Sequence, residues 1–117
     1  MTREELLQMI SDIHQFQSEL DDVEVKLAHG GTPKRLYESL SAFSNQPTGG
    51  VILLGLDEKQ KFEIIGIHDA HRLQEDISHL ATSDMEPPLR PEFTVEEIDG
   101  KTVMAVEIFE IPHGQKP

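Results

Sequence analysis

The chain has 117 residues, 37% hydrophobic and 27% charged, which is enough to build one globular core and argues against disorder as its main description. Lys and Arg number 10 against 22 Asp and Glu, and the resulting net charge of −12 repels phosphate backbones unless basic groups are concentrated somewhere. No apolar run reaches the ~18 to 20 residues of a membrane helix, the opening residues are acidic, and cysteine is absent, so no membrane contact, secretory signal, disulfide, thiolate zinc site or cysteine nucleophile is expected and the location expected is cytoplasmic.

Thr2 with Glu5 three residues later forms a capping box, and Leu6, Met9, Ile10, Ile13 and Phe16 recur at helical spacing, predicting a first helix to about Gln17. After Asp21 and Asp22, Val23-Glu24-Val25-Lys26-Leu27 alternates with period two and predicts a short half-buried strand. Gly30-Gly31 marks a turn. Thr32 as cap and Pro33 at the first helical position then predict a second helix over about 33 to 44, with Leu36, Leu40 and Phe43 on its inner face. The Pro and paired Gly of Asn45 to Gly50 make a loop, and the apolar run from Val51 to Leu56 predicts a central strand buried on both faces. Phe62 to Ile67 is expected as its return strand in a hairpin. Asp69 caps a third helix carrying Leu73, Ile77, Leu80 and Ala81, which Pro87 and Pro88 terminate. Strands at about 92 to 98 and 102 to 109 join at Asp99-Gly100, the strongest short hairpin signal in the chain. The order α-β-α-β-β-α-β-β predicts a single α+β domain with a mixed or antiparallel sheet and helices packed on it.

Three constellations bear on chemistry. Paired glycines at Gly49 and Gly50 let a backbone approach a ligand, but they precede a strand rather than opening a helix, no phosphate-loop pattern is present, and a tight helix-to-strand connection is the plainer reading. ATP is therefore not supported as a cofactor. Glu19 and Glu24 flank the first strand while Asp57 and Glu58 end the central one; carboxylates from separate strands hold divalent cations when they converge, although a solvated face is the ordinary outcome in so acidic a chain. Lys26 shares the strand face of Glu24, as an ion pair or a phosphate contact. Lys34 and Arg35, expected in the first turn of the second helix, are the best further phosphate contacts. His68, His71 and His79 match no metal-ligand spacing and read as surface histidines.

Glu19, four residues, then Glu24-Val25-Lys26; Ser41-Ala42-Phe43-Ser44-Asn45; Gly49 to Asp57; and Ile65-Gly66-Ile67 together resemble the Schlafen-type Alba-like domain, also called divergent AAA. Pro88-Leu89-Arg90-Pro91 and the segment Pro112 to Pro117 fit the same resemblance, which so covers nearly the whole chain. This chain has Gln46-Pro47-Thr48 where the family usually has two residues before the glycine pair, and Val25 where an aromatic is common. The resemblance implies a DNA-binding domain forming the N-terminal part of longer bacterial transcriptional regulators, with Asn45, Gly49, Gly50 and the Glu24–Lys26 strand at the shared functional surface. It also implies that Glu19, Glu24 and Asp57 match the carboxylates of nuclease members. The leading expectation is a DNA- or RNA-binding module of such a regulator, with no cofactor. One alternative is a nuclease dependent on magnesium or manganese. The other is a dimerisation or protein-interaction module, forming a homo-oligomer, whose DNA affinity lies elsewhere in a longer chain.

Overall fold

The apolar run starting at Val51 is buried from both sides, and that burial organises the molecule. Ile52, Leu53 and Leu54 are inaccessible to solvent. Ile52 and Leu54 belong to a core with Leu40, Phe43, Leu73 and Ile77, whereas Leu53 belongs to a second core with Leu6, Ile10 and Ile13. Consecutive strand side chains point to opposite faces, so one strand feeds two cores only if helices cover both sides of its sheet.

In the computed structural model, which describes residues 1–111, those helices are α1 (Arg3–Phe16) on one face and α2 (Leu36–Ser44) with α3 (Ala70–His79) on the other. The strands are β1 (Val23–Lys26), β2 (Gly50–Leu54), β3 (Leu56–Asp57), β4 (Glu63–Ile64), β5 (Glu92–Ile98) and β6 (Lys101–Ile108). The main sheet runs β1-β2-β6-β5, with β1 parallel to β2 and the other neighbours antiparallel. This is the mixed α+β architecture the element order predicts. The segment Pro112 to Pro117 lies outside the described residues. No helix among the described residues is long and apolar enough to cross a membrane.

Most local signals act as expected. Thr2 Oγ1 accepts from Glu5 N–H at 3.1 Å and Glu5 Oε1 accepts from Thr2 N–H at 2.8 Å, closing both halves of the capping box. Asp69 caps α3 by accepting from Arg72 N–H, and a π-helical turn, Leu80–Asp84, extends that helix before the prolines. Asp99 and Gly100 both take positive φ, 51° and 78°, as a two-residue hairpin turn requires.

Three expectations need correction. The return strand over Phe62 to Ile67 is only β4, which pairs with β3 in a separate two-stranded ladder, and the antiparallel neighbour of β2 is β6. Gly55, at φ 112°, ends β2, and Lys61 and Phe62 lie in the left-handed region, so the chain turns out of the main sheet. The second helix begins at Leu36, not Pro33. Thr32 donates its hydroxyl to Asp76 at 3.3 Å instead of capping, and Lys34 and Arg35 occupy a turn ahead of the helix. The final strand also runs one residue earlier than read, 101–108.

Candidate nucleic-acid interface

β1 is an edge strand, and its chemistry follows from the direction each residue faces. Val51 N–H donates to Asp22 O and Gly55 N–H to Lys26 O, so residues 22, 24 and 26 bond toward β2 while Val23 and Val25 turn their backbone groups outward. Leu20 O accepts from Val23 N–H at 3.0 Å, and Glu19 Oε2 accepts from Val25 N–H at 2.6 Å. These two contacts occupy the outward donors of the edge and blunt it against pairing with another chain.

The β1 side chains divide between the two layers. Val23 and Val25 are buried beneath α1, which leaves Glu24 and Lys26 on the α2 side. There a groove of about 480 Å³ opens between β1, the loop from Glu19 to Asp21, and α2 with the turn before it. Its charged lining is Glu19, Asp21, Glu24, Lys26, Arg35 and Glu38, four carboxylates against two cations. Lys26 Nζ lies 3.7 Å from Glu24 Oε1, and Arg35 Nη2 lies 2.9 Å from Glu38 Oε2. The Arg35–Glu38 pair is largely exposed and contributes little to stability. Asp21 and Glu38 were not singled out by sequence; the three-residue spacing of Arg35 and Glu38 is the signal that points to the second of them.

The other candidate residues take separate positions. Lys34 is exposed in the turn before α2 and has no ion pair among the described residues. Asn45 ends α2 and donates from Nδ2 to Ser41 O at 3.0 Å. Gly49 and Gly50 are buried, and Gly49 N–H donates to Gln46 O at 2.9 Å. A Cβ on Gly49 would stand 1.9 Å from Ile108 O, and one on Gly50 would stand 2.2 Å from Phe43 Cδ1, so both positions are shaped by close packing. In the longer loop between them and α2, Gln46 Nε2 reaches both Asp22 Oδ1 and Gly49 O.

Asp57 is not part of the groove lining. Its Oδ1 accepts from Lys59 N–H at 3.0 Å and its Oδ2 from Gln60 Nε2 at 2.7 Å, capping a 3-10 turn, Glu58–Gln60. The structure thus brings Glu19 and Glu24 to one groove and leaves Asp57 out of its lining. His71 pairs with Glu75, and His79 Nδ1 lies 3.4 Å from Ser83 Oγ. Among the described residues no three acidic or histidine side chains gather into a group fit to hold a metal ion.

The profile of the Schlafen, AlbA_2 family matches residues 19–117, from the loop that carries Glu19 to the end of the chain. Among solved structures, this chain is similar to the N-terminal domain of a protein from Nitrosomonas europaea named for its relation to the ATP-dependent DNA helicase RecG, at 28% identity and a TM-score of 0.74, over 94% of this chain and 76% of that one. It also shares its fold with the DIP2311 protein from Corynebacterium diphtheriae, at 19% identity and a TM-score of 0.58; there it covers 93% of its own length and 23% of the other chain. No curated protein matches. With the profile spanning most of the sequence, the groove's edge strand and α2 included, the chain belongs to the Schlafen, AlbA_2 family.

Proposed function

We propose that this chain is a nucleic-acid-binding module and, more finely, a DNA-binding module of a bacterial transcriptional regulator working in the cytoplasm. The observation that carries the reading is its similarity, over 94% of its length, to the N-terminal domain of a protein named for a DNA helicase. Lys26 and Arg35, which line one groove, and Lys34, which lies next to Arg35 in the chain, are the phosphate contacts.

A titration by fluorescence anisotropy against duplex DNA, single-stranded DNA and structured RNA tests it. Saturable binding to at least one of them is expected, and a Lys26→Ala, Arg35→Ala double variant should bind at least about fivefold more weakly, two lost phosphate contacts being its cause. No saturable binding to any of the three would overturn the reading.

A second reading draws on the same groove, because Glu19 and Glu24 both line it. A divalent-metal nuclease needs a third ligand, and Asp57 would have to leave its 3-10 cap to supply one. Magnesium or manganese should then raise the melting temperature, and Glu24→Gln should remove most of the increase. No thermal shift and no cleavage of RNA in either metal would leave the binding module alone.

A further inference from the structure

A second concavity, separate from the groove, lies between the turn that follows β1 and the first turns of α3. We propose that this pocket receives a single unstacked pyrimidine base of a bound nucleic-acid strand. The proposal rests on the nucleic-acid reading above and adds a site to it.

Size sets the class of occupant. The pocket holds about 190 Å³. A cavity of ~150 Å³ accepts benzene, whereas drug-sized ligands need roughly 300 to 1,000 Å³, so this volume suits one six-membered ring with its substituents and not a nucleotide with sugar and phosphate. Its floor is apolar, formed by Ala28, Ile67 and the buried Leu73.

The rim matches a flat, neutral, hydrogen-bonding ring. His29 and His68 border the pocket, both exposed and neither hydrogen-bonded to another described residue. A neutral imidazole offers one donor and one acceptor besides its ring face, and single-stranded bases are bound by such stacking together with bonds to their polar edges. Arg72 supplies a third planar group. Its Nε donates to Asp76 Oδ1 at 3.1 Å, Thr32 donates to the other oxygen of Asp76, and the Asp76 carboxylate holds the guanidinium pKa above its ordinary value. That bond turns the guanidinium toward Asp76, while the side chain stays largely exposed at the rim.

Charge excludes the other occupants. Asp69 and Asp76 outnumber Arg72 around the pocket, and Arg72 is already paired with Asp76, so a phosphate or carboxylate inside it would find no unpaired Lys or Arg in the lining. A divalent cation would find an apolar floor, and the described residues offer it no group of three ligands. Connectivity joins the pocket to the proposed phosphate contacts: Lys26 precedes Ala28 by two residues, and Lys34 and Arg35 follow Gly31 directly after Thr32 and Pro33. These separations of two to four residues keep the backbones of those cations within about 14 Å of the pocket lining.

The test compares three labelled oligonucleotides of equal length by fluorescence anisotropy: oligothymidylate, oligodeoxyadenylate, and an abasic strand with the same phosphates and no bases. The oligothymidylate is expected to bind about tenfold more tightly than the abasic strand, in line with one stacked base. A His29→Ala, His68→Ala double variant, its melting temperature checked against the wild type, should lose that advantage and keep its affinity for the abasic strand. Equal binding of all three strands overturns the pocket and leaves the binding module standing. Equal binding of both base-bearing strands above the abasic one overturns the pyrimidine assignment. If no strand binds, thymidine added at millimolar concentration decides: NMR shifts confined to residues 28–31 and 67–73 support the pocket while the nucleic-acid reading fails, and no shifts overturn both.

Discussion

Gly50 and Phe43 occupy a space that cannot take another methyl group. A Cβ at Gly50 meets Cδ1 of the Phe43 ring at 2.2 Å, yet the φ of Gly50 is not positive, so the conflict there is one of volume alone. Gly50→Ala should therefore lower stability by about 1 to 3 kcal/mol, the usual penalty for overpacking. Adding Phe43→Leu, which shortens the opposing side chain, should return part of that loss, and a double-mutant cycle on urea midpoints reads the coupling. Additive effects would show that the ring is not what excludes the methyl. At this scale the sequence names the residue but not its neighbour. The paired glycines advertise a close approach, and the approaching groups are the Phe43 ring and the β6 backbone at Ile108, neither of which the glycine pair itself points to. Glu19 carries the same lesson: six residues from Val25, its carboxylate holds an edge-strand N–H that no spacing rule anticipates.

Elements with their signals in adjacent residues are legible, and those set by distant contacts are not. The capping box of α1, the alternation of β1, the apolar run of β2 and the Asp99-Gly100 turn each depend on residues within a few positions, and each forms as its signal predicts, although β2 stops at Leu54 while the run continues to Leu56. The start of α2 escapes because Thr32 is drawn to Asp76 across the fold. The shortness of β4 escapes because the N–H groups of Ile65 and Gly66 both turn to the Gly55 carbonyl, and that of Ile67 bonds to Thr102 O. The docking of α1 is another long-range device. The Met1 ammonium donates to Glu107 and to Thr94 Oγ1, and Arg3 reaches Glu96 and the Glu97 carbonyl. The hydrogen bond to Glu107 raises the pKa of the ammonium above its ordinary 8.0. Only the charged amine gains from this contact, so the stabilisation is complete below that ordinary value and disappears as pH rises through the raised one. For protein whose first residue is Met1, the melting temperature should thus fall more between about pH 7 and about pH 10 than it does in Glu107→Gln, where the carboxylate is missing. Parallel curves for the two proteins would remove the pair from the account of how α1 is held.

For the whole molecule, the dominant fact is the net charge of −12, and composition alone exposes the difficulty it makes for phosphate binding. What composition does not reveal is how few cations the fold gathers on one side, or that Lys34 and Arg35 sit ahead of α2 and gain nothing from belonging to its first turn. Lys26 and Arg35 already face Glu24 and Glu38, which cancels part of their charge before any phosphate arrives. Three cations neutralise at most three phosphates, so the slope of log K against log salt should lie between about −1 and about −3 on duplex DNA, at roughly −0.9 per phosphate. Removing Lys34, the one of the three without an ion pair among the described residues, should flatten that slope by close to one phosphate, more than removing Arg35 does. Anisotropy titrations between about 50 and about 200 mM salt measure both slopes. A wild-type slope steeper than about −5 would require a basic surface beyond these three residues, and the groove would then lose its place as the phosphate-binding face.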